Sequence, residues 1–368
     1  MGIDRRLIQN FDWGLLILVL LLGSLGIVNL ISAAPGSAES WLPYTAKRQM
    51  IWFAVGSVAM FAMVLIDYRR LERLSLLFYL GCVALLVAVL FLAPIINGSQ
   101  RWIVLGPARL QPSEITKLAM ILLFARMLQK TSATEELGFR QLALPALASA
   151  IPCALVLRQP DLGTALSIAL VAGSFAVGAR IRLSTVLSLG VAGATGAGLA
   201  WFFYLHDYQK QRLLTFLDPE RDPLGAAYHA IQSQIAIGSG GLFGRGFLQG
   251  PQSQLDFLPE QQTDFVFSVV GEEWGFVGAG VVLCLYAALM LRGLMIARAS
   301  KDAFGSYLAV GVVGLFFWAG AINVGMVLGL LPVVGVPLPF LSHGGSSLLT
   351  AMLACGLLLS VSMRRYVF

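Results

Sequence analysis

From Trp13 onward the chain alternates long apolar runs with short charged connections, and that alternation restricts the solvent it can fold in. The run WGLLILVLLLGSLGIVNLIS carries no charge, and stretches like it recur almost to Phe368. A run of about 18 or more apolar residues is long enough to cross a hydrocarbon layer as a helix. Within such a layer the backbone must satisfy its own amides, which favours helices over irregular chain. Only 12% of residues are charged and 58% are hydrophobic, against roughly 25% charged in a soluble domain. The expected fold class is all-α: a polytopic integral membrane protein forming one domain over residues 1–368.

Ten spans are expected, the first from Trp13 to Ile31 and the others near 50–66, 75–95, 112–128, 139–157, 162–179, 183–204, 264–291, 304–331 and 346–363. Arg5 and Arg6 before the first run imitate a secretory signal, but the run exceeds the roughly 7–15 apolar residues of a signal core, so we read it as a retained span. Ten spans put both ends of the chain on one side. That side collects most of the cations in short loops, among them Arg69, Arg70, Arg73, Arg180, Arg182, Arg298, Lys301, Arg364 and Arg365. The opposite side holds fewer, and Lys210, Arg212, Arg221 and Arg245 share one long loop. The positive-inside rule then places both termini in the cytoplasm. The net charge of +6 is thus topological. It forms no basic stripe interleaved with aromatics, so no nucleic-acid partner is expected. Cys82, Cys153, Cys284 and Cys355 lie in apolar runs without metal-type spacing and read as small buried hydrophobes.

The segment LDFLPEQQTDFVFSVVGEEWG crowds Asp256, Glu260, Asp264, Glu272 and Glu273 onto the outer edge of the eighth run. A helix cap accounts for Asp264. A second reading is that Ser268 and Glu272 follow at i+4 and i+8 on the same face, carrying a polar stripe about 12 Å into the span, where an acid is by default functional. Glu273 points elsewhere, toward a structural partner.

Other polar sites also carry two readings. In QPSEITKLAMILLFA, Glu114 and Lys117 are i,i+3 neighbours that either snorkel at the surface or face a polar cavity. In LRQPDLGTAL, Asp161 reads first as the cap of the following span. Arg101, beside Trp102, reads as an interfacial anchor or, with Arg109, as a phosphate clamp. The turn LLPVVGVPLPFLSHGGSSLL is rigid and re-entrant, with Ser342, His343, Ser346 and Ser347 expected to line a cavity. Between the seventh and eighth spans, the loop from about 205 to 263 is too long for a simple connection. Within it, AAYHAIQSQIAIGSGGLFG reads as a short amphipathic helix, a candidate for the interface. The Gly-rich GSGGLFGRG fits neither a P-loop nor a dinucleotide-binding spacing.

NGSQRWI, GPARLQPSEITKLA, QPDLGTAL, SQLDFLPEQQTDFVFSVVGEEWG and LPVVGVPLPFLSHGGSS together resemble the signature stretches of the SEDS (shape, elongation, division, sporulation) family along essentially the whole chain. SQL before DFLPE, and FDW before the first span, are closer to its RodA branch than to its FtsW branch. The resemblance implies a ten-span fold in the bacterial cytoplasmic membrane and polymerisation of lipid II into glycan strands at its outer face. It also implies a class B penicillin-binding protein as partner. The family's essential aspartate falls on Asp264 and its cavity pair on Glu114 and Lys117, while Arg101, Asp161 and Ser342 fall on other motif positions. The sequence departs from the common form at Gln261-Gln262, where many relatives have a basic residue or Ala followed by His, and at His343, a frequent Tyr. In the chemistry so implied, Asp264 is the base. Lys117 and Arg101 hold the departing pyrophosphate, and Glu114 orients Lys117. The sequence assigns no cofactor, although a divalent cation (Mg²⁺ or Mn²⁺) suits carboxylate and phosphate together. The rival readings are a transporter of lipid-linked precursors, which buried charges and broken helices also suit, and a scaffold for a partner enzyme.

Overall fold

The computed structural model describes residues 9–33, 42–94, 99–106, 108–130, 137–177, 182–203, 205, 207–218, 227–255, 257–258 and 260–365; Asp256 lies outside them. It is helical almost throughout. In chain order the elements are α1 (Trp13–Ala33), α2 (Tyr44–Leu65), α3 (Tyr68–Leu92), the strands β1 (Ile103–Leu105) and β2 (Ala108–Leu110), and α4 (Pro112–Leu128). There follow α5 (Phe139–Arg158), α6 (Leu162–Ser174), α7 (Leu183–Phe203), α8 (Asp207–Leu217), α9 (Tyr228–Gly240) and α10 (Pro251–Gln254). The last are α11 (Val266–Ala299), α12 (Ala303–Val327) and α13 (Gly345–Arg364).

Among the described residues, eight helices are long and apolar enough to cross a membrane; α4, at 17 residues, and α6, at 13, are shorter. The chain is a multi-pass membrane protein. Local chemistry sets several boundaries. Asp67 accepts from the Arg69 N–H at 3.0 Å to start α3, Pro112 opens α4 where its missing N–H costs nothing, and the Asp161 carboxylate accepts the Thr164 N–H at 3.0 Å to start α6. The centre is α4, of which only Ile115, Arg126 and Met127 escape burial, packed among α3, α5, α6, α12 and α13. Its burial explains why so short a helix carries no polar face: every side meets protein. By contrast α7 stands at the edge, and its apolar side chains are almost all exposed to the surroundings.

Two features, a hairpin and a helix break, were not read from the sequence, and in the long connection only the helix of AAYHAIQSQIAIGSGGLFG was. Residues 103–110 form an antiparallel hairpin, Ile103 opposite Leu110 and Val104 opposite Arg109, turning at Gly106 (φ 60°). The connection between α7 and α11 is not an open loop but carries α8, α9 and α10. Finally, α11 is two helices in line, broken at Gly275 (φ 65°, ψ −162°).

That break explains GSGGLFGRG. A broken helix exposes carbonyls before the break and N–H groups after it, and in an apolar surrounding each must find a partner. The Gly-rich segment supplies them: the Arg245 and Gly246 N–H groups donate to the Glu272 and Glu273 carbonyls at 2.9 and 3.0 Å, while the Phe276 and Val277 N–H groups donate to the Gly241 and Leu242 carbonyls at 2.9 and 3.1 Å. The approach is close enough that a Cβ on Gly244 (φ 84°) would lie 2.1 Å from the Glu273 oxygen. The amphipathic helix read there is α9, which packs on α11 and buries Ser233, Ala236 and Gly240.

Candidate active site

Helix starts and loops converge at one end of the bundle around a cleft of about 710 Å³. Its walls come from α2 (Arg48, Trp52), the hairpin and its flanks (Arg101, Trp102, Arg109, Gln111), the start of α4 (Glu114), the α5–α6 corner (Asp161), α8 (Gln209, Arg212), the lead-in to α11 (Glu260, Asp264), and the loop through Gly335, His343 and Ser347. Four arginines and four carboxylates therefore face one chamber.

Asp264 lies two residues before α11 and does not cap it. The position before the helix is Phe265, and no side chain caps the start. Instead the backbone here is wound into a tight turn. Glu260 takes a left-handed conformation (φ 54°), and its carbonyl receives the N–H groups of Thr263, Asp264 and Phe265. Two further bonds clamp the turn. The Asn323 amide, from α12, donates to the carbonyls of Asp264 and Val336 at 2.8 Å each. The Ser342 hydroxyl donates to the Thr263 carbonyl at 2.5 Å and accepts from the Leu338 N–H at 2.8 Å. The His343 N–H adds a bond to the Gln262 carbonyl at 2.7 Å. With its backbone held, the Asp264 side chain faces the cleft beside Gly335 (φ 73°), where a Cβ would sit 3.3 Å from its Oδ2. Burial raises this carboxyl to about 6 and the neighbouring Glu260 charge adds to the rise, while Arg101 and Arg212 oppose it.

Asp161 does more than cap. Its Oδ2 accepts from the Gln111 amide at 2.9 Å and pairs with Arg101 at 3.0 Å. The Arg101 guanidinium also lies over the Trp102 ring at 5.8 Å. Both residues line the cleft, where Arg101 and Asp161 form an ion-paired wall. Lys117 Nζ donates to Glu114 Oε1 at 2.7 Å, with both side chains at most 7% exposed. This pair does not snorkel. Glu114 lines the cleft, while Lys117 lies beneath its floor.

Not every expected site residue shares the chamber. Glu272 is fully buried away from it, its two oxygens accepting the N–H groups of Gln252 and Ser253 at the start of α10. Ser268, on the same stripe, bonds Ser233 at 2.8 Å. The stripe thus faces the α9–α10 connection. Glu273 bonds the Ser32 hydroxyl of α1, the structural partner expected of it. Ser342 acts on backbone from behind the wall, whereas His343, Ser346 and Ser347 do line the cleft.

The sequence reading missed Asn323 and Arg212, and it noted Glu260 among the clustered acids without giving it a place in the site. Asn323 had a signal, a lone amide in the apolar run AINVGMV. Arg212 had none, because its place depends on how α8 folds back to bring it 3.4 Å from the Val333 carbonyl.

Residues 12–367 match the family model FTSW_RODA_SPOVE, described as cell cycle protein. The chain belongs to this family. Among its relatives, peptidoglycan glycosyltransferase MrdB of Escherichia coli is 45% identical over 322 residues, covering 87% of this chain and 86% of that protein. Peptidoglycan glycosyltransferase RodA of Treponema pallidum is 35% identical over 98% of this chain and 99% of its own length. Among solved structures, a chain of a peptidoglycan synthase complex that coordinates polymerization and crosslinking is 37% identical and superposes with a TM-score of 0.81, covering 97% of this chain and 98% of its own. The rod shape determining protein RodA of Thermus thermophilus is 32% identical with a TM-score of 0.72 over the same shares. In this member of the family the candidate site is assembled largely at helix starts.

Proposed function

We propose that this chain is a peptidoglycan glycosyltransferase that polymerises lipid II at the outer face of the bacterial cytoplasmic membrane, for elongation and rod shape. Ten crossings, with α4 and α6 among them, leave both termini in the cytoplasm and the connection carrying α8 to α10 outside. The observation that carries the reading is Asp264, a carboxylate held by its backbone in a cleft whose walls also carry four arginines. A base acts best when its pKa approaches the working pH, and about 6 suits this carboxyl to the task.

The acceptor's sugar hydroxyl gives its proton to Asp264 as its oxygen attacks the donor's anomeric carbon. The bond from that carbon to the diphosphate oxygen breaks, and the lipid diphosphate departs with the electron pair. Arginine forks match phosphate oxygens. Arg101, held in place by Asp161, and Arg212 are the side chains that oppose the diphosphate charge, and the Glu114–Lys117 pair supports them from the floor. Among the described residues no group of three His, Cys, Asp or Glu converges. A Mg²⁺ or Mn²⁺ at Asp264 and Glu260 would therefore draw its other ligands from diphosphate and water, and would there offset phosphate charge. The partner is a class B penicillin-binding protein that crosslinks the strands.

The break in α11 would suit a transporter, whose half-helix ends face substrate. Here two carbonyls before the break and two N–H groups after it are bonded to the Gly-rich segment, which gives the break a structural use within the chain. The test is purified protein with lipid II and no transpeptidase. Glycan polymer that disappears in Asp264→Asn supports the reading; no polymer from the wild type, with lipid II moved across vesicles, would replace it by transport.

A further inference from the structure

Beneath the floor of the cleft lies a second chamber, of about 10 Å³, lined by Glu114, Lys117, Ser347 and Thr350 among apolar and proline side chains. Glu114, Ser347 and Pro337 are walls of both chambers. Lys117 therefore reaches the reaction from below, through Glu114. Its ammonium has three N–H donors, and Glu114 Oε1 takes one. Across the same small space Thr350 comes from α13. It is 1% exposed, and its Oγ1 is buried without a hydrogen-bond partner.

A buried hydroxyl left unbonded costs about 1–3 kcal/mol, and a threonine on a helix has a ready alternative in the carbonyl one turn back. Thr350 does not take it. A polar chamber of about 10 Å³ is the smallest that holds a water, which needs two to four polar partners. The lining has an ammonium, a carboxylate and a hydroxyl that can meet that need.

We propose that this chamber seats one water joining Thr350 Oγ1 to Lys117 Nζ, and that Thr350 is a positioning residue for the transfer reaction. The water accepts from the ammonium and donates to the hydroxyl, so that Lys117 keeps its charge turned toward Glu114 and the cleft. The proposal rests on the reading of Lys117 as a charge that opposes the diphosphate.

The test is lipid II polymerisation by four purified proteins: Thr350→Val, Thr350→Ser, Lys117→Met and the double variant Lys117→Met/Thr350→Val. Thr350→Val keeps the shape and removes the hydroxyl. We expect kcat to fall about tenfold, the worth of one hydrogen bond to a charged group, with KM and melting temperature nearly unchanged. Thr350→Ser restores kcat, and on the Lys117→Met background Thr350→Val adds no further loss. Wild-type kcat in Thr350→Val overturns the proposal, as does an equal loss in Thr350→Ser or a full additional loss in the double variant. Full activity of Lys117→Met is a different failure, which removes the functional role of Lys117 itself.

Discussion

With Asp264 as the proposed base, one property of its carboxyl governs both stability and rate. Its carboxyl titrates near 6 in the folded protein against about 3.9 in an unfolded chain. Below about pH 4 both states hold the proton and nothing is lost. Between about 4 and 6 the folded state keeps a proton that the unfolded state has released, so stability falls as pH rises through this window. Above 6 the loss is constant, on the order of 2–3 kcal/mol. Asp264→Asn removes the charge that burial disfavours, so this variant melts higher than the wild type at pH 7.5, and the gap closes toward pH 4. A gap that ignores pH would mean the carboxyl is not strained by burial. Rate moves the other way. The base must be ionised, so wild-type polymerisation declines below pH 6, and Asp264→Asn loses about 10²–10⁴-fold. A flat pH profile between 5 and 7 would remove the carboxylate as base. Chemistry of this kind is partly legible in the chain. Asp264, Glu114 and Lys117 stand out because charge next to lipid is costly, and their i,i+3 spacing makes the pair visible. Asn323 and Ser342, which clamp the turn, act on carbonyls far away in sequence, and no local pattern announces such a bond.

Among the elements, the long spanning helices were the easy part, since each is written as an apolar run and their packing follows from burying it. The break in α11 was hidden for a physical reason. Glycine is common in membrane helices, so GEEWG reads as continuous helix until the partner of the break is known. That partner is GSGGLFGRG, and the two can be tested together. Any side chain on Gly244 meets the Glu273 carbonyl and must also adopt a positive φ, so Gly244→Ala displaces the segment and leaves the Glu272 and Glu273 carbonyls without donors. Two buried carbonyls at about 1–3 kcal/mol each, with about 1–2 kcal/mol of backbone strain, predict a loss of roughly 3–8 kcal/mol. Gly280, five residues beyond the break, has open space where its Cβ would go, and Gly280→Ala should stay within about 0.5 kcal/mol. Denaturant titration in detergent compares the two. Equal stability would mean that the segment lies beside the break without holding it.

For the whole molecule, the two ends of the bundle differ in chemistry. One end carries the cleft. At the other, ion pairs join successive helix ends: Arg69 to Asp302 at 3.8 Å, Arg364 to Asp67 at 3.8 Å, and Arg292 to Asp12 at 4.0 Å, with the Tyr68 hydroxyl donating to Asp302 at 2.8 Å. A bundle in which α3 starts where α2 and α11 end, and where α13 also finishes, must cross back and forth between these faces. Which face meets the cytoplasm is a matter of electrostatics, because short loops rich in Lys and Arg resist translocation. The ion-paired end holds those loops, so the cleft should open outward, where no cytosolic nucleotide reaches and a lipid-borne diphosphate must carry the energy of transfer. Single cysteines decide this. In intact spheroplasts a membrane-impermeant maleimide should label Lys210→Cys on α8 and leave Lys301→Cys, between α11 and α12, untouched until the membrane is opened, with the native cysteines measured alone as background. Labelling of Lys301→Cys alone would put Asp264 in the cytosol, and a polymerase working outside the membrane could not then use it.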